Sequence, residues 1–402
     1  FLKQEFLENS PGYYDPRISL KTMYKYDTTN NLSVYPMLRL VKDNYGAAVE
    51  PVFNIGPEWW PEKQWKDKFS GAYSRAYIFF RRNPFFFLAG ESSIAMNSGM
   101  MLNISDPPRY VIYFDYEHEP LLFSYFFSKL KSRSYRDEYY NRFLVGHSLT
   151  FNKGGLSLSI TELCMFYDET NFPDLYFVNP LTIYHLKSFD EEMEGETNIY
   201  WVPCIKYQRG RNLFHFELAV DELQYDRYLF GKEMEFVPPQ LIWNLGYRIV
   251  DRFFPKSYVG IEYSGATRWS LNHGIPILNW SDNGYHMGNV ENSDYDRFRL
   301  FFIKHIGEFD AGLNLVYKRM GEGSINELDT CWIREIDYPE DYFLTGTVEK
   351  TFTVKPVFRI RKDRYFFNLS VDFSYSTNFR NVEGNDKFHS SFYVFFNYTI
   401  EW

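Results

Sequence analysis

The 402-residue chain lacks any hydrophobic run long enough to cross a membrane as an α-helix. Such a helix needs about 18 to 20 apolar residues, and the densest apolar stretch, residues 85–90, is far shorter. A helical membrane protein is therefore excluded. The sequence also opens without a charged, apolar signal segment, so we expect that an exported chain has already lost its signal.

Cysteine is scarce and basic residues form no tract. The three cysteines, Cys164, Cys204 and Cys331, are far apart and do not have metal-site spacing. We expect no disulfide, metal or cofactor. The net charge of -9 and the absence of a basic tract argue against nucleic acid as a partner. Without low-complexity segments or linkers, the chain is predicted to form one domain over residues 1–402.

Aromatic residues are abundant in a chain whose mean hydropathy is negative. They make up 21% of the sequence, with 34 Tyr and 40 Phe. Both properties are explained if successive side chains face two different environments. The final stretch shows this alternation: Phe392, Val394, Phe396, Tyr398, Ile400 and Trp402 are interleaved with more polar neighbours such as Asn397 and Glu401. Period two is the pattern of a half-buried β-strand.

The alternation and the connection lengths predict an all-β fold, a single antiparallel transmembrane barrel of the bacterial outer membrane with about 18 strands. Tight turns and long loops alternate along the chain, as periplasmic turns and extracellular loops do in such barrels. Both termini are then expected on the periplasmic side. The predicted strands are 17–26, 32–41, 47–55, 72–81, 84–92, 109–117, 120–130, 141–151, 155–165, 198–208, 212–222, 239–250, 257–265, 296–305, 308–318, 345–360, 364–376 and 388–402.

Five residues depart from the barrel pattern. Pro36, Pro51, Pro203 and Pro356 fall inside strands, where proline removes a ladder donor, so we expect bulges or weak pairing there. His147 falls on the outward set of its strand, which indicates either a position near the membrane interface or a slip of the register.

The inward face carries charges of both signs. These charges either line a channel and select solutes or form ion pairs that close the interior. The lumen-lining residues predicted from the sequence are Arg75, Glu91, Glu162, Lys206, His215, Glu217, Arg248, Glu262, Asp310, Lys318 and Asp372.

Seven short segments resemble, in order and spacing, the Wzi-type capsule assembly family. The resemblance covers about residues 85–270, and its segments are 88–91, 98–103, 157–163, 176–180, 220–224, 243–246 and 260–264. It implies an 18-stranded outer-membrane barrel that acts as a lectin and holds exported polysaccharide at the cell surface.

Tryptophans in the predicted outer loops are the candidate ligand-binding residues. Flat rings stack on sugar faces, but the same rings could instead form the aromatic girdle or pack the loops together. The candidates are Trp59, Trp60, Trp65, Trp269, Trp280 and Trp332.

No catalytic constellation is expected. His215 and Glu217 share one face of a strand, with Asp221 continuing the row, but no serine-centred motif accompanies them, so a hydrogen-bonded lumen histidine is the favoured interpretation.

Three functions remain open from the sequence. The first is a polysaccharide-binding barrel of the Wzi type, and the second is a porin for small or charged solutes. The third is a scaffold subunit of a larger surface complex. Outer-membrane lipid and the barrel-insertion machinery are expected partners in all three cases.

Overall fold

The structure is a computed structural model. It describes residues 17–26, 31–42, 44–55, 64–66, 69–97, 99–169, 173–187, 197–221, 240–282, 285–288, 292–323, 343–362 and 365–401. Within these ranges, no helix has the length and the apolar character needed to cross a membrane.

The described residues form 22 strands and two one-turn α-helices, α1 (Leu175–Val178) and α2 (Tyr184–Lys187). The strands are β1 Arg17–Tyr26, β2 Asn31–Lys42, β3 Tyr45–Ile55, β4 Gln64–Lys66, β5 Phe69–Arg82, β6 Phe85–Ala95, β7 Asn103–His118, β8 Leu121–Lys129, β9 Arg133–Tyr135, β10 Glu138–Lys153, β11 Leu156–Asp168, β12 Thr197–Arg209, β13 Asn212–Val220, β14 Leu241–Val250, β15 Ser257–Ala266, β16 Ser281–Asp282, β17 Tyr285–His286, β18 Tyr295–Ile306, β19 Phe309–Met320, β20 Glu349–Lys362, β21 Tyr365–Thr377 and β22 Lys387–Glu401.

The sheet closes into a barrel because β1 pairs antiparallel with β2 on one side and with β22 on the other. Apart from the short β4, β9, β16 and β17, the described strands number eighteen and pair with their neighbours in chain order. The prediction of an antiparallel barrel with about 18 strands is therefore confirmed. Each predicted strand corresponds to one of these eighteen, with ends that differ by a few residues.

Successive side chains point alternately to the outer surface and to the lumen. The exposed apolar side chains of β11, β14 and β21, among them Leu158, Leu245 and Phe373, share the outer face. An outward apolar band is typical of transmembrane barrels. Their strand neighbours, such as Asn244 and Asp372, face inward, so the predicted period-two pattern holds along the wall.

The in-strand prolines interrupt the ladder as predicted. The β3–β5 register shifts between Glu50 and Pro51. The β12–β13 ladder stops at Trp201 and resumes at Cys204, so it skips Pro203. The β20–β21 ladder likewise passes from Val354 to Val357. These gaps follow from the missing N–H of proline.

The lumen contains a folded plug made from two connections between strands. We define the plug as residues 96–102, between β6 and β7, and residues 267–288, between β15 and β18, in so far as they are described. Its apolar side chains, including Met101, Leu278 and Trp280, pack against inward residues of the wall such as Leu144 and Met165. This interface is the main hydrophobic core of the described chain.

A second apolar cluster lies on the outside of the barrel. Residues 173–187, which we call the outer cap, carry α1 and α2 and lie over β10, β11 and β12. Asp174 caps α1 by accepting a hydrogen bond from the Tyr176 amide at 2.8 Å. Phe177 and Tyr184 of the cap are buried against outward Phe143, Phe166 and Ile199.

Replacement of Gly246 is expected to destabilise the barrel, because the inward His215 ring lies where a Cβ would stand. A Cβ at Gly246 would come within 1.9 Å of that ring. We expect Gly246→Ala to lower the free energy of unfolding by about 1–3 kcal/mol, as overpacking does. Urea unfolding of the chain refolded in vesicles measures the change. His215→Ala in the same chain should recover most of the loss, and equal loss in the single and double variants would contradict this packing.

Candidate functional site

The plug occupies one side of the lumen, where hydrogen bonds and ring contacts hold it against the wall. The Trp280 ring is fully buried, meets the inward Tyr200 ring edge-on at 4.8 Å, and donates its Nε1 to the Met101 carbonyl at 2.9 Å. Asn198 of β12 donates to the Leu278 carbonyl at 3.0 Å. Asn103, the first residue of β7, donates its amide to the Met287 carbonyl at 2.8 Å, which ties the second part of the plug to the wall.

A buried carboxylate anchors the tip of the plug to the wall. Asp282 forms an ion pair with Arg109 of β7 and accepts a hydrogen bond from the Lys131 amide at 3.0 Å. Arg142 of β10 is fully buried, lies 3.8 Å from the other Asp282 oxygen, and donates to the carbonyls of Asn279 and Ser281 at 3.0 and 2.8 Å. One carboxylate therefore offsets two buried guanidinium groups, which would be costly to leave without a countercharge.

His273 holds a tight bend of the plug in its neutral form. Its Nδ1 accepts the Ile275 amide at 3.1 Å, and its own amide donates to the Asn279 side chain at 2.8 Å. Burial lowers the pKa of His273 to about 4. Protonation of Nδ1 would remove the acceptor for the Ile275 amide, so acid should loosen the bend.

The opposite side of the lumen is open and polar. A cavity of about 670 Å³ runs along the inner faces of β18 to β21. Five of its lining residues are basic and two are acidic, Glu349 and Asp372. We call the basic set the basic row: Arg297, Arg299, Lys318, Lys355 and Arg359.

The basic row spans much of the barrel height. Arg297 pairs across strands with Lys318, and Arg359 pairs with Asp310. Lys318 and Asp310 lie eight residues apart on β19, about 26 Å at the rise of a strand. A solute that travels along this side therefore meets basic side chains at successive levels.

Some members of the row are held by polar partners from the same wall. Glu262 bridges Arg248 at 2.7 Å and Arg299 at 3.1 Å, while Arg299 also donates to Asn314 at 2.8 Å. Lys355 lies 3.0 Å from Asp372. These contacts orient the cationic groups. With five basic and two acidic residues, the cavity lining still carries an excess of positive charge.

Nine of the eleven lumen residues predicted from the sequence do lie on the inward face. They are Arg75, Lys206, His215, Glu217, Arg248, Glu262, Asp310, Lys318 and Asp372, which alternate with exposed outward neighbours. Lys206 donates to the plug through the Asn97 carbonyl at 3.3 Å. His215 and Glu217 are buried in the wall, and no cluster arranged to hold a metal occurs among the described residues.

The prediction was wrong for Glu91 and Glu162, which face outward. Glu91 pairs across strands with Tyr110, which is 66% exposed on the outer wall. Glu162 continues the outward set of Leu158 and Ile160, so strict period-two alternation along β11 predicts that Glu162 faces outward. His147 is outward as well and pairs directly with Glu162, so the register does not slip there.

The tryptophans proposed for sugar binding have different surroundings. Trp269 and Trp280 are buried in the plug, so their faces are not open to a sugar; Trp280 packs in the main hydrophobic core, and the Arg268 guanidinium lies over the Trp269 ring at 4.5 Å. Trp65 lies on β4. Trp59, Trp60 and Trp332 lie outside the described residues.

Several residues that shape the site were not selected from the sequence. Arg297 and Arg299 alternate with the outward Phe298 and Leu300, so the period-two pattern could have identified them. Asp282 and Arg142 could not be paired in this way, because they are 140 residues apart and belong to a loop and a strand.

Comparison with known proteins identifies the fold. No family model matches the sequence, and no curated protein matches it. Among solved structures, the chain is similar to a double variant of OccD1 (OprD) with a TM-score of 0.54 and 8% identity, covering 98% of this chain and 97% of that one. It is also similar to OprD of Pseudomonas aeruginosa (0.54, 7%, 98% and 97%) and to OpdQ of the same organism (0.51, 9%, 97% and 99%).

The resemblance to the Wzi-type family is corrected by these findings. The structural neighbours are OprD-type proteins, one of them described as an outer membrane protein. Four of the segments that carried the resemblance, 88–91, 157–163, 243–246 and 260–264, lie within strands, whose alternation is shared by outer-membrane barrels in general. At these identities the likeness establishes the fold alone.

Loss of the Asp282 charge is expected to free the plug. Asp282→Asn removes the carboxylate that forms an ion pair with buried Arg109 and lies 3.8 Å from Arg142, and breaking a comparable buried pair costs about 3–5 kcal/mol. We expect a lower unfolding midpoint in urea and discrete steps of higher conductance in planar bilayers. Asp372→Asn is the matched control, since its partner Lys355 borders the open cavity and the change should cost about 1 kcal/mol or less. Equal effects of the two variants would contradict an anchoring role.

Acid is expected to loosen the plug through His273. An unfolded histidine titrates near 6.5, whereas the pKa of His273 is about 4 in the folded chain. The contribution of the neutral ring is complete above pH 6.5 and is lost as the pH falls towards 4. Conductance noise should rise over this range, and His273→Asn, which keeps an acceptor that does not titrate, should reduce the rise. An identical pH profile for the variant would show that another group is responsible.

Proposed function

We propose that the chain is an outer-membrane diffusion channel for small charged solutes and that its narrowed lumen favours anions. The observation that carries the proposal is the basic row on the open side of the lumen, opposite the plug. The plug keeps the passage narrow, so a solute must pass close to these side chains. Rings or rows of one charge sign in a narrow pore select solutes of the opposite sign.

The orientation in the membrane follows from the connections. Arg17 of β1 pairs with Glu401 of β22 at the barrel end that carries the tight turns, such as residues 154–155 and 307–308. Tight turns face the periplasm in outer-membrane barrels. We therefore place both ends of the described barrel on the periplasmic side. Insertion by the barrel-assembly machinery of the outer membrane belongs to the same proposal.

Charge reversal in the basic row is expected to change ion selectivity. In planar bilayers with a salt gradient, we expect a reversal potential that indicates anion preference. Each charge at contact distance in water is worth about 1 kcal/mol, or about a five-fold change in occupancy, so Lys318→Glu should reduce the anion-to-cation permeability ratio several-fold.

The matched control is Lys350→Glu, which changes a lysine on the outward face of the adjacent strand. It should leave the ratio near that of the unmodified chain. Absence of conductance, or cation preference in the unmodified chain, would contradict the proposal.

A further inference from the structure

The outer cap covers a polar site on the lipid-facing wall. Glu162 and His147 lie opposite each other on β11 and β10, with His147 Nε2 3.3 Å from a Glu162 oxygen. Both side chains point away from the lumen, yet the Glu162 side chain is only 6% exposed. The wall below them, at Leu149, Leu158 and Ile160, is openly apolar.

The Glu162 carboxylate fastens the cap to the wall. It accepts the backbone amides of Tyr184 at 2.9 Å and His185 at 2.8 Å, and the Trp201 Nε1 at 3.1 Å. A fourth contact comes from His147. On the other edge of the cap, the Tyr125 hydroxyl of β8 donates to the Val178 carbonyl at 2.7 Å.

The depth of this site places it within the lipid-facing band. Glu162 follows Leu156, the first residue after the tight turn, by six residues along β11. That is about 20 Å along the strand, or about 15 Å along the axis of a barrel whose strands tilt by 35–45°, against an apolar band about 25 Å tall.

The outer surface of the cap is apolar. Leu175 is 81% exposed, Leu181 is 80% exposed, and Ile183 and Leu186 are exposed beside them. At the side of the cap, the Trp201 ring meets the His185 ring edge-on at 5.6 Å, and Trp201 is itself exposed. In water, four adjacent aliphatic side chains of this kind would form an unfavourable patch.

Eight of the thirteen backbone amides of the cap donate to acceptors within the protein. The amides of Phe177, Asn179, Thr182 and Leu186 donate to carbonyls of the cap. Those of Tyr176 and Leu181 donate to the side chains of Asp174 and Asn179, and those of Tyr184 and His185 donate to Glu162. Pro180 has no amide hydrogen. Non-helical backbone at membrane depth requires such internal partners.

We propose that residues 173–187 form a re-entrant cap that lies in the hydrocarbon of the outer leaflet, held by Glu162, and that lipid acyl chains are the partner of its apolar surface. The inference rests on the proposed outer-membrane location. In this inference, Glu162 and His147 fix a lipid-embedded segment to the outer wall of the barrel.

Spin-label accessibility tests the cap directly. Leu181→Cys and Leu186→Cys are labelled in a chain whose three native cysteines are replaced by alanine, and the protein is reconstituted in phosphatidylcholine vesicles. We expect both labels to collide more with molecular oxygen, which concentrates in lipid, than with a water-soluble nickel chelate. Leu158→Cys on the bare wall is the lipid control, and Val382→Cys in the exposed β21–β22 connection is the water control.

The outcomes separate the two proposals. If Leu158→Cys does not favour oxygen, the membrane location itself fails. If Leu158→Cys favours oxygen but the cap labels favour the nickel chelate, the cap faces water and the inference is overturned. Low accessibility to both reagents at the cap would indicate a protein partner or a second copy, which also overturns it.

The fastening role of Glu162 has its own test. Glu162→Leu should mobilise the label at residue 181 and raise its collision with the nickel chelate, because the cap loses its main acceptor. Glu91→Leu, at another outward glutamate, should leave the label unchanged. Hydrogen exchange of the unmodified chain in vesicles gives a readout without labels: we expect slow exchange in residues 175–187, and exchange within seconds would overturn the inference.

Discussion

Closure of the sheet between β1 and β22 is the constraint on which the other features depend. In a membrane each strand needs a partner on both sides, because unpaired backbone groups cannot be satisfied by hydrocarbon. The β1–β22 ladder provides the last pairing, from Arg17 with Glu401 to Tyr26 with Phe392. Once the ring is closed, every residue has a fixed face, and a change of one position moves a side chain from lipid to lumen. The interruptions at Pro203 and Pro356 are tolerated because each removes pairing on only one side of the strand, and on the other side Ile160 and Leu313 still pair with the prolines.

At a few positions, the adjacent strands β10 and β11 reverse the polarity that the two faces have elsewhere. Their inward positions include Leu144, Leu163 and Met165, which are buried against the plug. Their outward positions include His147 and Glu162, which are covered by the cap. The reversal is tolerated because each face is covered by another segment. On the lumen side the apolar plug packs against the apolar residues, and on the outer side the hydrogen-bonded cap shields the polar pair from lipid. The plug and the cap therefore form two layers on opposite sides of the same part of the wall.

The sequence predicted the architecture well because alternation and turn chemistry are local properties. Strands such as β21 and β22 could be assigned from period two alone, and tight turns separated them. The same rule, applied strictly, assigns Glu162 to the outer face and Arg297 and Arg299 to the lumen. What could not be predicted is the fold of the long connections. Asp282 meets Arg109 and Arg142 only after the chain has closed into a barrel, and no local pattern records a contact between residues more than 100 positions apart. The burial of Trp269 and Trp280 could not be predicted for the same reason, since their exposure depends on whether their loop folds inward.

The plug fills one side of the lumen and leaves the other open, and this difference explains where charged side chains lie along the wall. Along β7 to β14 the plug packs against the wall, so this wall can carry few charges unless each is paired, and Asp282 lies between Arg109 of β7 and Arg142 of β10. Along β18 to β21 a cavity remains, and Arg299, Lys355 and Arg359 line it while Glu262, Asp372 and Asn368 orient them. A narrow passage with a dry wall on one side and a cationic wall on the other focuses the field on any solute that enters. Under the proposed function, the plug therefore does more than reduce the cross-section, because it also strengthens the interaction between the basic row and an anion.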